Sequence, residues 1–263
     1  MGGVRDEGEG STGGADDEGD RVIQEDAWLV AQRPAATLCA VCDAMGGMAS
    51  GRHAADFVLE GLRVAFAGGA DARGLLGALE ASNRVILARS EAARARAPGS
   101  EHFWLGSGTT AEVVLFEGGR AHVAHVGDGR IYRQREGRLV RLTTEHTLQN
   151  EFLRSRRRLS EAELENIPKN VIVRALGMTA DVAVDRFDVG ASRGDRFLLC
   201  SNGLTDLLDD AAIAATLDRH PDGADAARAL VEAALAAPHA GGRDNLAVVV
   251  HDVRGAPGPG GEG

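Results

Sequence analysis

Residues 40–51, AVCDAMGGMASG, constrain the fold more than any other stretch of the chain. Leu38, Ala40 and Val41 close an apolar run, Asp43 follows, and then come Gly46 and Gly47. An apolar run that ends in a turn reads as a buried strand, here one that delivers an acid to the edge of a sheet. The two glycines let the backbone turn and approach a ligand closely. Helix-compatible residues resume at Ala49. Taken alone this is a Gly-rich strand-to-helix turn. Its meaning comes from other strand ends that also carry polar or charged groups: Arg21 with Glu25 and Asp26, Asp128, Asn202 with Asp206, and Asp244 with Asn245.

The segments between these turns set the fold class. Residues 27–32 and 37–42 read as a hairpin broken at Arg33-Pro34. Residues 49–67 carry Ala54, Phe57, Val58, Leu62 and Phe66 at helical spacing, and Asp71 is placed to cap a second helix reaching residue 97. Short strands at 109–116, 120–126, 130–135 and 139–142, separated by Gly-bearing turns, read as an antiparallel meander. Residues 147–170 are polar, basic and weakly helical, and read as a surface insertion. Strands at 182–187 and 196–200, Ala-rich helices at 209–217 and 224–237, and a last buried strand at 246–250 complete the chain. Helices set between runs of antiparallel strands imply an α+β fold with two sheets packed together and helices outside. The absence of G-x-G-x-x-G and of a Walker loop argues against a nucleotide-binding fold.

Charge narrows the function. The formal net charge is −10, and Asp6, Glu7, Glu9, Asp16, Asp17 and Glu18 against Arg5 place much of it in residues 1–19, a Gly-rich segment expected to be a disordered acidic tail. Residues 255–263 read as a second, Gly/Pro-rich disordered tail. One folded domain, residues 20–254, is left between them. It is only mildly acidic, so nothing favours a nucleic-acid partner. Arg154, Arg156, Arg157 and Arg158 read as a solvated helix face. No run approaches the roughly 18 apolar residues of a membrane span, and the N-terminus lacks a signal pattern; the expectation is a cytoplasmic protein without a membrane partner. Cys39, Cys42 and Cys200 fit a reducing compartment. The lone C-x-x-C has no second pair or nearby His and reads as core thiols.

Converging carboxylates repel one another unless a divalent cation neutralises them. An all-oxygen donor set suits Mg²⁺ or Mn²⁺ rather than Zn²⁺. Two such ions held close together activate a bridging water for in-line attack on a phosphate. A nearby arginine grips the phosphate oxygens as a fork, and Arg21 is the candidate. No cysteine sits in a phosphate-binding loop, which argues against a cysteine nucleophile. His102, His122, His125 and His146 read as structural or surface groups.

The acid-bearing turns lie within RVIQEDA (21–27), VCDAMGGMASG (41–51), GSGTTA (106–111), HVGDGRIY (125–132), LTTEHT (142–147), NVIVRALG (170–177), GDRFLLCSNGLTD (194–206) and GGRDNLAVVV (241–250). In this order the stretches resemble the protein phosphatase 2C family, the metal-dependent Ser/Thr phosphatases, in its bacterial form, over about residues 21–250. The resemblance implies a four-layer α-β-β-α sandwich with two Mn²⁺ or Mg²⁺ ions, and a weaker third site, at one edge of the sheets. By matched position Arg21 binds the phosphate and Asp43 bridges the two main ions; these are the expected catalytic residues. The Ala44 carbonyl reaches one ion, Glu25 and Asp26 hold metal-bound waters, Asn202 stands at a ligand position, Asp244 ligates the first ion, and Asp128 and Asp206 build the third site. Met45 stands where eukaryotic relatives carry a His proton donor and is expected to border the substrate. The insertion at 147–170 falls where the family has its mobile flap, which influences substrate choice, and His146 ends the motif beside it.

The centre departs from the family pattern twice. Asp43-Ala44 replaces Asp-Gly, and Ser201-Asn202-Gly203 replaces Ser-Asp-Gly. Ala44 still offers a carbonyl, and its Cβ matters only if the backbone needs positive φ or substrate passes close. Asn202 offers a neutral oxygen where the family has a charged one. Losing an outer-shell partner already costs roughly 10–100-fold, so weakened metal binding because of Ala44 and Asn202, and a need for high Mn²⁺, are expected. Two functional readings follow. One is a monomeric phosphatase acting on phosphorylated proteins, with Ser/Thr kinases or their substrates as the source. The other is a pseudophosphatase that binds a phosphoprotein or kinase without turnover; retention of the remaining acids and of Arg21 argues against it.

Overall fold

In the computed structural model the chain is described over residues 12–45, 49–96, 104, 106–155, 167–168 and 171–254. Strand β3 (Ala36–Cys42) shows why the layers form. Leu38, Ala40 and Cys42 face one apolar cluster, and Cys39 and Val41 face another. A strand that is apolar on both faces has to be covered on both sides. It pairs antiparallel with β2 (Ala27–Arg33) and β6 (Ala111–Glu117), and β7 (Arg120–Val126) and β10 (Asp185–Gly190) complete the sheet in the order β10-β7-β6-β3-β2. The second sheet contains β1 (Thr12–Asp17), β8 (Arg130–Arg135), β9 (Arg138–Arg141), β11 (Arg196–Cys200) and β12 (Leu246–Asp252), ordered β1-β12-β11-β8-β9, again antiparallel. A short ladder joins β4 (Ala44–Met45) to β5 (Gly108–Thr109).

Helices α1 (Ala49–Ala67) and α2 (Ala72–Arg96) cover the first sheet, burying Leu62, Phe66 and Leu79 against Leu38, Val113 and Leu115. Asp71 caps α2 by accepting the Gly74 N–H at 2.9 Å. Two short helices follow, α3 (Leu148–Arg154) and α4 (Asn202–Thr205). Then α5 (Asp210–Arg219) and α6 (Gly223–Ala236) cover the second sheet, burying Leu217 and Leu230 against Leu198, Val248 and Val250. Val114, Phe116, Phe197, Leu199 and Val249 fill the layer between the sheets. The result is the expected four-layer α-β-β-α sandwich; each fully buried side chain of this size is worth roughly 1.5–3 kcal/mol. The three cysteines are free and buried. Cys39 and Cys42 belong to different clusters on opposite faces of β3, so they share neither a bridge nor a ligand site. Among the described residues no helix is long and apolar enough to cross a membrane.

The structure corrects three expectations. First, residues 12–17 are not part of a disordered tail: they pair with β12 from Thr12↔His251 to Asp17↔Leu246. Composition counted Gly13 and Gly14 towards disorder, but they are points of close approach. A Cβ on Gly13 would overlap Ala224, and one on Gly14 would overlap the Trp28 ring. Thr12 Oγ1 lies 2.7 Å from His251 Nδ1, and the Trp28 indole donates to Asp16 at 2.9 Å. Backbone pairing and close packing are invisible to a composition argument. Residues 1–11 and 255–263 lie outside the described residues.

Second, the meander breaks in the middle. β6 pairs with β7 and β8 with β9, but β7 and β8 belong to different sheets. The turn Gly127-Asp128-Gly129 is therefore a crossing rather than a hairpin, and it carries Asp128 to the shared edge of both sheets. Gly127 has φ +121°, and a Cβ there would overlap Thr110. Third, the strand expected at 182–187 is β10, shifted to Asp185–Gly190; Val182 and Val184 instead pack against the cluster under α1 and α2. Of the flap-like insertion, α3 and residues 167–168 are described, while 156–166 and 169–170, including Arg156, Arg157 and Arg158, lie outside the described residues.

Candidate metal centre

Asp43 leaves the end of β3 with its backbone held from two sides. Its N–H donates to Thr110 Oγ1 at 3.0 Å, and its carbonyl accepts from the Thr110 N–H at 2.8 Å and from Thr109 Oγ1 at 3.0 Å. Asp26 immediately precedes β2, where Ala27 pairs with Cys42, so the two acids leave the same end of neighbouring strands. Asp26 is buried beside Ser201 and Asp43, and its Oδ2 has no hydrogen-bond partner among the described residues. Burial above all, reinforced by the charges of Asp244 and Asp128, pushes Asp26 up to about 7. Burial, then the Asp26 and Asp128 charges, holds Asp43 well above the usual carboxylate range.

The crossing turn brings Asp128 to the same place from the second sheet. Asn202, the first residue of α4, donates Nδ2 to Asp128 Oδ2 at 3.1 Å. Asp128 Oδ1 and Asn202 Oδ1 are buried without a hydrogen-bond partner among the described residues. Burial raises Asp128 to about 6, with the Asn202 hydrogen bond opposing and the Asp206 charge adding to it. Asp206 ends α4 and is raised by burial and by Asp244. Asp244 pairs with Arg21 at 2.9 Å on the exposed rim. The loop carrying Arg21 and Glu25 is braced by Asn245, whose Oδ1 accepts the Glu25 N–H at 2.9 Å while Nδ2 donates to the Glu18 and Ile23 carbonyls at 3.0 Å each.

The five aspartates identified in the sequence thus lie within electrostatic reach of one another, with Arg21 at the rim and Glu25 in the loop that leads to Asp26. Ala44 is different. Its backbone is in β4, outside the left-handed region, and its methyl is buried in the apolar cluster under α1 and α2 rather than among the acids. Met45 lines a cavity of about 310 Å³ between α2 and the Gly177-Met178 turn, with Leu87, Ser90 and Arg94.

Buried, partnerless carboxylate oxygens that raise one another's pKa are the arrangement a hard divalent cation relieves, and all the donors are oxygen. A second cluster, His125, His146 and Asp185, does not fit a metal. The Gly127 N–H donates to His146 Nδ1 at 3.0 Å, and Nε2 is taken up by Asp185 Oδ2 at 3.2 Å and the Arg174 guanidinium at 3.0 Å. Arg174 holds the other Asp185 oxygen at 2.8 Å. His146 has no lone pair left for a cation; it clamps Gly127, whose carbonyl also accepts the His146 N–H at 2.7 Å.

The profile of the family described as Protein phosphatase 2C matches residues 14–237. The chain belongs to that family. Serine/threonine protein phosphatase PstP of Mycobacterium tuberculosis is 35% identical over 222 residues, 83% of this chain and 40% of that protein. The chain thus spans less than half the length of PstP. Protein phosphatase PhpP of Streptococcus pneumoniae is 32% identical over 152 residues, 58% of this chain and 61% of that protein. The crystal structure of the M. tuberculosis phosphatase PstP/Ppp matches with a TM-score of 0.78 at 33% identity, covering 94% of this chain and 99% of that one. The PstP catalytic domain in complex with two manganese ions gives 0.77 at 33% identity, with the same coverage.

Within this phosphatase 2C fold, sequence reasoning located the acids but missed what holds them. Thr109 and Thr110 lie in the quoted GSGTTA stretch, Ser201 beside Asn202, and Asn245 beside Asp244. Each acts by a hydrogen bond to a residue far away in sequence, and the only signal was adjacency to an acid or a recurrent motif.

Proposed function

We propose that this chain is a metal-dependent phosphoprotein phosphatase that hydrolyses phospho-Ser/Thr, with metal binding weakened by Asn202. The observation that carries the reading is the buried pair of carboxylate oxygens, Asp26 Oδ2 and Asp128 Oδ1, without a hydrogen-bond partner among the described residues and converging with Asp43 behind an exposed arginine. The manganese ions of PstP support Mn²⁺ or Mg²⁺ as the partner of this set. When bound, two such ions supply an activated water and neutralise charge on the phosphoryl group. Asp43 would hold both ions, with the Ala44 carbonyl and Asp244 as further ligands. Glu25 and Asp26 would act through water, and Asp128 with Asp206 would hold a third ion more weakly. Arg21 offers the guanidinium fork that grips the phosphate and fixes its orientation. Asn202 supplies a neutral oxygen and donates an amide N–H to Asp128. The expected substrates are phosphorylated Ser/Thr kinases or their targets in the cytoplasm, met by a monomer.

The test is p-nitrophenyl phosphate hydrolysis across a Mn²⁺ titration, for the native chain and for Asn202→Asp. Turnover by the native chain that saturates only at high Mn²⁺, with a midpoint lowered roughly tenfold or more by Asn202→Asp, supports the reading. A native chain that stays at the enzyme-free rate while Asn202→Asp turns over would replace it with a binding role.

A further inference from the structure

The most buried acid near the centre belongs to none of the acid-bearing turns. Glu112, in β6, shares a strand face with Val114 and Phe116 and so points into the apolar layer between the sheets, where it is fully buried. An apolar residue of the same size would be more favourable there, because a buried polar atom without a partner costs roughly 1–3 kcal/mol. Glu112 Oε1 has no hydrogen-bond partner among the described residues and lies 3.7 Å from His125 Nε2.

What this side chain does lies on its two sides. Glu112 Oε2 accepts the Thr110 hydroxyl at 3.0 Å, and that same Oγ1 accepts the Asp43 N–H at 3.0 Å. Thr110 has one hydroxyl proton. With the Asp43 amide aimed at Oγ1, that proton needs an acceptor elsewhere, and Glu112 provides it. On the other side the backbone after Asp128 rests on the carboxyl: a Cβ on Gly129 would overlap Glu112 Cδ. The Gly129 carbonyl is held by His125 Nε2 at 3.1 Å. One buried side chain therefore touches the supports of both the Asp43 turn, from the first sheet, and the Asp128 turn, which crosses to the second.

We propose that Glu112 is a positioning residue that sets the spacing of the Asp43 and Asp128 turns from behind, and through it the affinity for divalent cations. This rests on the metal-dependent reading above. It makes Glu112 a residue whose cost in stability is offset by a gain in site geometry.

The experiment is Mn²⁺ titration calorimetry on the native chain, Glu112→Gln and Glu112→Leu, with melting of the chelator-treated proteins alongside. Glu112→Gln keeps the shape and the acceptor for Thr110, and its dissociation constant is expected within about threefold of native, whereas Glu112→Leu removes the acceptor and is expected to weaken binding about tenfold or more. The metal-free Glu112→Leu protein is expected to melt at or above the native temperature. A residue with a merely structural role would not separate the two readouts in this way. Should Glu112→Leu not fold, Thr110→Val breaks the same link from the other side and is expected to weaken Mn²⁺ binding likewise. Native-like Mn²⁺ affinity in Glu112→Leu, or in Thr110→Val if that variant is needed, overturns the proposal. So does an equal loss in Glu112→Gln and Glu112→Leu, which would mean that the charge rather than the acceptor matters. A native chain that binds no Mn²⁺ overturns the metal-dependent reading, and this inference with it.

Discussion

The two sides of the acid cluster meet the core differently. On the first sheet, Asp43 is fixed through its backbone by Thr109 and Thr110, and the residue after it buries its methyl in the core under α1 and α2. On the second sheet, the backbone on either side of Asp128 is held by His146 and His125, and the Asp128 carboxylate itself takes a hydrogen bond from the Asn202 side chain at 3.1 Å. The chain departs from the phosphatase 2C pattern once on each side, and the consequences differ accordingly. The Ala44 methyl lies in the core, away from the acids, whereas Asn202 lies among them and touches Asp128. A substitution whose side chain faces the core is expected to be felt in packing, and one among the acids in the donor set.

The largest effect is expected where a side chain projects from a backbone-held turn. Asp43→Asn leaves every backbone hydrogen bond of the turn in place while removing the charge proposed to serve both ions. Mn²⁺ affinity is expected to fall by more than about 100-fold, beyond what outer-shell partners cost. The metal-free protein is expected to keep or raise its melting temperature, since one buried charge is removed. Calorimetry and circular dichroism read the two quantities separately. A larger affinity loss from Asp128→Asn than from Asp43→Asn would reverse the order of the two sides.

Proton linkage sharpens the contrast. Burial holds Asp26 at about 7 and Asp128 at about 6, both above their ordinary value of 3.8. The folded metal-free protein therefore keeps protons that the unfolded chain has already released. Stability from these groups is full below about pH 4 and is lost as pH rises towards about 7. The buried histidines His125 and His251, both lowered to about 4, work the other way: their contribution is full above the unfolded value of 6.5 and is lost as pH falls through the window down to about 4. Comparing native protein with Asp26→Asn isolates the acid. The native melting temperature minus that of Asp26→Asn, in chelator, is expected to fall by several degrees from pH 5 to pH 8, at about 2–4 °C per kcal/mol. Mn²⁺ should remove the trend, because it binds the deprotonated carboxylates. A difference that stays flat in chelator would mean that Asp26 is ionised in the metal-free fold.

How much of this was legible in the sequence follows the same division. Helix α1 and strands β7, β8 and β11 were legible because their apolar periodicity depends on local residues alone. The five aspartates were legible because each lies close to an apolar strand, at or near a turn. The crossing at Asp128 was not, since short strands with Gly-bearing turns look the same whether they pair or change sheets. Strand β1 was not, because its glycines serve Ala224 and Trp28, far away in the chain. Nor were the roles of Thr110, Glu112 and Asn245, whose partners are defined only once the sheets have packed.

A smaller effect tests the loop that carries Arg21. Asn245 makes three hydrogen bonds to the segment from Glu18 to Glu25, so Asn245→Ala frees that segment without touching an acid. Substrate KM is expected to rise about tenfold, the low end for an outer partner, with a smaller change in kcat, because Arg21 is the residue proposed to orient the phosphate. An equal fall in kcat with KM unchanged would place the brace on the acids instead.

The smallest effect is expected at Ala44, and it is the sharpest check on the comparison. If the residue after Asp43 matters only through packing, Ala44→Gly should be felt in stability rather than in metal binding. The variant loses a buried methyl, worth roughly 0.8 kcal/mol, and gains backbone freedom in a strand, worth roughly 0.5–1 kcal/mol. Together these predict a melting temperature lower by about 3–7 °C for a domain of this size. The Mn²⁺ midpoint should move by less than about twofold, well short of the effect of Asn202→Asp. Restoring glycine therefore restores the family's residue without restoring any function. If instead Ala44→Gly lowers the Mn²⁺ midpoint as far as Asn202→Asp does, the backbone after Asp43 must move when the ions bind, and the first sheet's side of the centre is not the fixed half.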